Sequence, residues 1–176
     1  MRYNQGMKTV IFLLFAIFAY AVEIDANSFE ASFTQTVKNE QGKSFKYSGQ
    51  IVAKKPNFAL WTYIKPFKKE IFIKGKQVTV YEPNLAQATV SENANVPNIY
   101  ELAKKAKQVS QDEYEAVYDG VKIYFKLNSG APEKIYYKDK IDNNIEIVFS
   151  NMKKNQPIND KIFDFIAPSG TDIIKQ

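Results

Sequence analysis

From Ser28 onward, apolar and polar residues alternate along the chain. A period of two marks strands with one dry face and one wet face. In the first run Phe29, Ala31, Phe33, Gln35 and Val37 share one face, against Glu30, Ser32, Thr34 and Thr36 on the other. The four-residue spacing of Phe29, Phe33 and Val37 would also suit a helix, but the flanking threonines favour a strand. A turn at Gln41 and Gly42 leads into Phe45, Tyr47, Gly49, Ile51 and Ala53, which alternate with Lys46, Ser48, Gln50 and Lys54. Pro56 and Asn57 end that strand, and residues 58–64 are apolar on both faces around Trp61. A loop at 65–67, a short strand over 70–74 carrying Phe72, and a tight turn at Gly75 and Lys76 follow. Val78 and Val80 begin the next strand, and residues 85–90 continue the sheet.

Residues 97–106 break the period. Pro97 sits near the start, Ile99, Leu102, Ala103 and Ala106 form one stripe, and Lys104, Lys105 and Lys107 gather at the end, which predicts a helix. Strand alternation then resumes. Tyr114, Ala116 and Tyr118 run to an Asp119–Gly120 hairpin signal, followed by Val121, Ile123, Phe125 and Leu127. Turns at 128–130 and 142–144 separate Ile135 and Tyr137 from Ile145, Ile147 and Phe149. The tail predicts a helical turn near 157–161. No repeat, linker or low-complexity stretch interrupts the pattern, so it predicts one mainly β domain with one clear helix. One short helix cannot cover a long meander, whose dry face must be buried elsewhere. A sandwich, or a barrel curled around itself or around a ligand, would do so. Periodicity does not separate a plain core from a cavity wall.

The first 21 residues read differently. Arg2 and Lys8 precede an apolar run over 10–18, which closes on Ala19, Tyr20 and Ala21, the small-x-small pattern of a cleaved secretory signal. That run is shorter than the roughly 20 residues a bilayer-spanning helix needs. The expectation is cleavage after Ala21 and an exported single domain over 22–176, with an uncleaved anchor as the alternative. The chain has no Cys and no His. Disulfides, thiolate nucleophiles, Ser-His-Asp triads and zinc sites therefore have no residues to build them, and a lipid-modified N-terminal Cys is excluded. An enzyme here would have to work with carboxylates, Lys or Tyr alone. No metal or cofactor is expected. The whole-chain net charge is +5, and Arg2 is the only arginine. A nucleic-acid partner would favour the bidentate guanidinium this chain lacks.

Four groups of residues carry a more specific signal. They are Phe29, Phe33 and Gln35 in the first strand; Lys55–Pro56–Asn57 with Trp61 and then Pro66; Gly75–Lys76 leading to Tyr81, Pro83, Leu85, Gln87 and Thr89; and Phe163-x-Phe165 followed by Pro168-x-Gly170. In this order and spacing the chain resembles the periplasmic outer-membrane lipoprotein carrier family, LolA, over roughly residues 27–174. The resemblance implies a half-open, incomplete antiparallel β-barrel, with a few short helices as a lid over an apolar concave face. It implies a carrier without catalytic residues that receives triacylated lipoproteins from an ABC-type release complex in the inner membrane. The carrier shields their acyl chains through the periplasm as a monomer and passes them to an outer-membrane acceptor where one exists. The expected cavity residues are Phe29, Phe33, Phe45, Tyr47, Trp61, Phe72, Val78, Val80, Ile123, Phe125, Tyr137 and Ile147.

Lys55 stands where the family usually carries an arginine that hydrogen-bonds toward the lid, so lid control falls to Lys55. Its ammonium lacks the planar fork of a guanidinium, which implies a weaker hold; compositional loss of arginine explains the change equally well. Only residues 22–27 precede the first strand after cleavage, where family members commonly begin with a longer helix. The same fold also serves as a periplasmic lipid-sensing regulatory module, usually with a second domain, or as a general lipid carrier. The missing further domain favours the carrier, and the identity of the bound lipid would separate the two carrier readings.

Overall fold

In the computed structural model, residues 24–176 are described, so the expected signal segment 1–21 lies outside the described residues. The alternating pattern resolves into strands β1 (Ser28–Lys38), β2 (Ser44–Lys54), β3 (Phe58–Lys65), β4 (Lys69–Lys74), β5 (Gln77–Glu82) and β6 (Gln87–Ser91). After them come helix α1 (Ile99–Lys105) and strands β7 (Lys107–Gln108), β8 (Glu113–Tyr118), β9 (Val121–Asn128), β10 (Ala131–Lys138), β11 (Asn144–Lys154) and β12 (Asp172–Lys175). All twelve strands join one sheet, ordered β12-β6-β5-β4-β3-β2-β1-β11-β10-β9-β8-β7. The edges β12 and β7 do not meet, so the curled sheet stays open.

Register explains how one face becomes continuous, because residues directly opposite each other share a face. Ala31 faces Ile51, Ile51 faces Trp61, Trp61 faces Ile71, and Ile71 faces Val80. In the other direction Phe33 faces Phe149, Ile147 faces Ile135, Ile135 faces Phe125, and Phe125 faces Tyr114. The period of two read from β1, β2 and β9 thus becomes the concave side of the sheet. Its buried centre holds Phe29, Phe33, Ile51, Ala53, Ile147 and Phe149, with Tyr100 and Ala103 of α1 packed into it.

The convex side is polar over β1, where Ser32, Thr34 and Thr36 point outward. Over β3 to β6 it is apolar and covered by the C-terminal segment. Phe163 packs on Phe58 with ring centroids 5.4 Å apart, and Phe165 lies 5.4 Å from Phe72 and 5.2 Å from Tyr81. Lys54 pairs with Asp160 and Lys74 with Asp164, both at 2.5 Å. The segment then adds β12 parallel to β6. This arrangement corrects the placement of Phe72. Phe72 lies opposite Thr79 rather than beside Val80 in register, so its side chain belongs to the convex face under Phe165, not to the concave one. In β3 and β4 both faces are buried against something, and alternation there carries no information about which face is inner. The predicted helical turn near 157–161 is a 3-10 turn at Asp160–Phe163, within this covering segment.

A lidded apolar cavity on the concave face

The inner face encloses a cavity of about 630 Å³. One wall is Ile51 and Ala53 of β2, Trp61 and Tyr63 of β3, and Ile71 and Ile73 of β4. The opposite wall is Ile147 and Phe149 of β11, Ile135 and Tyr137 of β10, and Ile123 and Phe125 of β9. Residues 96–102 roof one end, with Ile99, Tyr100 and Leu102 turned inward. The other end reaches the hairpin loops at Asp119, Lys140 and Ile141; Ile141 lines the cavity yet is 76% exposed, so the cavity opens there.

Of the expected cavity residues, Trp61, Ile123, Phe125, Tyr137 and Ile147 line this space. Phe29 and Phe33 are fully buried in the core that supports its wall, with Phe33 edge-on to Trp61 at 5.1 Å and to Tyr63 at 4.9 Å. Tyr47 is on the inner face against Tyr63. Val78 and Val80 share that face on β5 but lie outside the lining. Phe45 does not line the cavity: at the start of β2 it is 43% exposed, with the Lys43 ammonium 5.0 Å above its ring. The strand simply outruns the space it helps to enclose. Sequence reasoning left out Ile51, Ile71 and Ile73, although Ile51 stood in the alternating run. It also left out Ile99 and Leu102, although they formed the helix stripe.

The roof is held at one corner. Asn98 caps α1, its side-chain oxygen accepting from the backbone N–H of Tyr100 at 2.9 Å and of Glu101 at 3.4 Å. The same side chain donates to the Pro56 carbonyl at 2.7 Å. Lys55 is tied into the sheet by its backbone N–H, which donates to the Asn27 carbonyl at 2.8 Å. Its ammonium lies 5.5 Å from the Tyr100 ring centroid, a cation–π contact with the roof helix. The Lys55–Pro56–Asn57 motif is therefore the corner on which α1 rests. The signal for Asn98 was present in the chain as an Asn followed three residues later by Glu101.

Few polar groups enter the cavity. The Tyr63 hydroxyl donates to Gln35 Oε1 at 2.9 Å. The hydroxyls of Tyr100 and Tyr118 are buried without a hydrogen-bond partner among the described residues. Burial, helped by the neighbouring Tyr137 and Tyr47, pushes Tyr63 up to about 12, and burial alone pushes Tyr100 up to about 12. An unfolded tyrosine ionises near 10. The neutral folded form is therefore favoured fully below that pH, and the advantage is lost as pH rises toward 12. Alkaline unfolding is expected between these limits, with Tyr63 and Tyr100 absorbing as phenolate only as the fold is lost. Ultraviolet absorbance and circular dichroism across this range would check it; phenolate from Tyr63 and Tyr100 forming near pH 10 in the folded protein would refute it.

An apolar space of this size falls within the ~300–1,000 Å³ range of ligand sites. Its lining can exclude water and make dispersion contacts. The carboxylates nearest to it, Asp119 and Asp139, sit at the mouth, where Asp119 pairs with Lys140 at 2.6 Å. Asp139 accepts from the backbone of its own loop at Ile141 and Asn143. Chemically, such a lining can accommodate an alkyl chain.

The chain is similar to known proteins over most of its length. The family model described as outer membrane lipoprotein carrier protein LolA matches residues 25–114. An outer-membrane lipoprotein carrier protein of Wolinella succinogenes is 36% identical over 168 residues, covering 95% of this chain and 98% of that relative. One from Campylobacter jejuni is 37% identical over 167 residues, covering 93% and 98%. A solved LolA superfamily structure from Nitrosomonas europaea is 12% identical, with a TM-score of 0.49 over 84% of this chain and 94% of that one. The chain belongs to the LolA family of outer-membrane lipoprotein carrier proteins.

Proposed function

We propose that this protein is a periplasmic carrier that shields the acyl chains of lipoproteins on their way to the outer membrane. The observation that carries the reading is the apolar cavity, roofed by α1 at one end and open at the other. Each methylene removed from water contributes about 0.8 kcal/mol, so a ~16-carbon chain left in water is penalised by roughly 12 kcal/mol. A lipoprotein does not cross an aqueous gap against that penalty on a useful timescale. A carrier needs a cavity nearly as favourable as the bilayer, and a roof that can move so that the cargo leaves again. No bond is made or broken in this task.

In the same reading, residues 1–21 direct export and are removed, 22–176 form the single working domain, and the carrier acts as a monomer. An ABC-type release complex in the inner membrane loads it, and an outer-membrane acceptor, where there is one, unloads it. Trp61 and Phe125 form the acyl-binding wall, and Lys55 controls the roof.

Trp61 is the only tryptophan and lines the cavity, so the protein reports its own loading. Protein recovered from the periplasm of expressing cells is expected to lose most of its tryptophan fluorescence when mixed with a lipoprotein whose acyl chains carry bromine. Native mass spectrometry should show a one-to-one complex and an intact mass starting at Val22. Undiminished fluorescence, with no complex by mass, would overturn the carrier reading. Phospholipid in place of lipoprotein would redirect it to a general lipid carrier.

A further inference from the structure

Five loops turn at the end of the sheet where the cavity opens. Lys38 lies opposite both Ser44 and Asn144, Tyr63 opposite Lys69, Glu82 opposite Gln87, and Tyr118 opposite Val121. The connections β1–β2, β3–β4, β5–β6, β8–β9 and β10–β11 therefore all turn at one rim. Three of them raise a large apolar side chain into solvent: Phe67 is 70% exposed, Leu85 65% and Ile141 76%. Val109, bonded to Glu113 at the other end of β8, is exposed singly, which is ordinary for a protein surface. Apolar tips on three separate loops along one rim are not ordinary.

The charge around those tips is mixed with lysines in excess; Glu40 of the β1–β2 connection forms no ion pair among the described residues. Asp119 is engaged by Lys140 at 2.6 Å and Asp142 by Lys138 at 2.8 Å. Asp139 is turned back onto the amides of its own loop. Lys65 and Lys68, which flank Phe67, form no ion pair among the described residues. Lys43 stands over Phe45 at the same rim. Exposed apolar side chains interleaved with lysines match a lipid interface, where the apolar groups enter the acyl boundary and the ammoniums face anionic headgroups.

We propose that this rim docks the protein directly on an anionic phospholipid surface. Phe67, Leu85 and Ile141 enter the headgroup layer, and Lys65 and Lys68 face the lipid phosphates. The mouth of the cavity then lies against the bilayer, so an acyl chain passes between the two without crossing water. The proposal rests on the carrier reading for what passes through the mouth, but the docking itself can be measured apart from it.

Protein recovered from the periplasm is floated with vesicles of phosphatidylglycerol and phosphatidylethanolamine at low salt, and in parallel with vesicles of phosphatidylcholine alone. A fluorescent fatty acid reports cavity binding in the same samples. The wild type is expected to rise with the anionic vesicles, to do so less as salt is added, and to stay below with phosphatidylcholine. The Phe67→Asp/Leu85→Asp variant touches neither the cavity lining nor the core. It is expected to lose vesicle binding at least about tenfold while taking up the fatty acid like the wild type. A wild type that fails to float, one that floats equally on phosphatidylcholine, or a variant that floats like the wild type would each overturn the proposal. If the wild type fails to float while the variant is slow to accept lipoprotein from purified inner-membrane protein, the rim docks a protein and not lipid. Loss of fatty-acid uptake by the wild type would instead count against the carrier reading.

Discussion

Replacing Gly49 by alanine is expected to lower the melting temperature by about 10 °C. A Cβ at this position would lie 2.0 Å from the Thr62 carbonyl oxygen and 2.9 Å from two ring carbons of Phe33. The ring could give way by turning, at the expense of its edge contacts with Trp61 and Tyr63. The carbonyl cannot, because β3 is held on both sides by β2 and β4. The pairing of β2 with β3 is already irregular at Ser48 and Gly49, which lets the backbone approach so closely. Overpacking of this kind costs about 3 kcal/mol, and a domain of this size loses roughly 2–4 °C per kcal/mol. Thermal unfolding followed by circular dichroism would measure it. A drop below about 2 °C would mean that the two strands can separate without loss and that the wall behind Trp61 is less rigid than its contacts imply.

Gly49 also shows what the sequence makes legible and what it hides. Its place in the run Phe45, Tyr47, Gly49, Ile51, Ala53 assigns its face correctly, since a strand's period of two is local and needs no partner. That a ring from the neighbouring strand rests on it is a matter of register, which no window of sequence contains. The same division holds for the site. Trp61, Ile123, Phe125, Tyr137 and Ile147 could be assigned to the dry face, and they line the cavity. Phe72 was misassigned because its own face is dried by Phe165, a residue far along the chain in a segment that pairs in parallel with β6. Phe45 was overread because alternation continues past the point where the roof and walls enclose anything. The corner beneath α1 was legible from the Lys55–Pro56–Asn57 motif only. Its partner, Asn98, is a cap and a bond between the roof and the sheet that sequence reasoning does not assign.

On the proposed carrier reading, substitutions at that corner are expected to change the rate of acyl-chain release in both directions. In Asn98→Ala, α1 loses its cap, worth about 1 kcal/mol, and its hydrogen bond to the Pro56 carbonyl, worth about 1 kcal/mol more. A closed state weakened by about 2 kcal/mol releases its ligand roughly 30-fold faster, since every 1.4 kcal/mol is a factor of about ten. Lys55→Ala removes the cation–π contact with Tyr100 and shifts release the same way by a smaller amount. Tyr100→Phe runs opposite. The Tyr100 hydroxyl is buried beneath the roof without a partner among the described residues, which costs about 1–3 kcal/mol. Phenylalanine keeps the ring that meets Phe29 and the Lys55 ammonium and removes only that penalty. The closed form should become more stable, and release about tenfold slower, in a protein that also melts higher. Stopped-flow dilution of a fluorescent fatty acid, read through energy transfer from Trp61, would give all three rates. If Tyr100→Phe released its ligand as fast as the wild type or faster, the buried hydroxyl would not be what opposes closure. If it were slower, as expected, the roof would be held short of its tightest closure by one oxygen atom, which suits a carrier that must let go of what it binds.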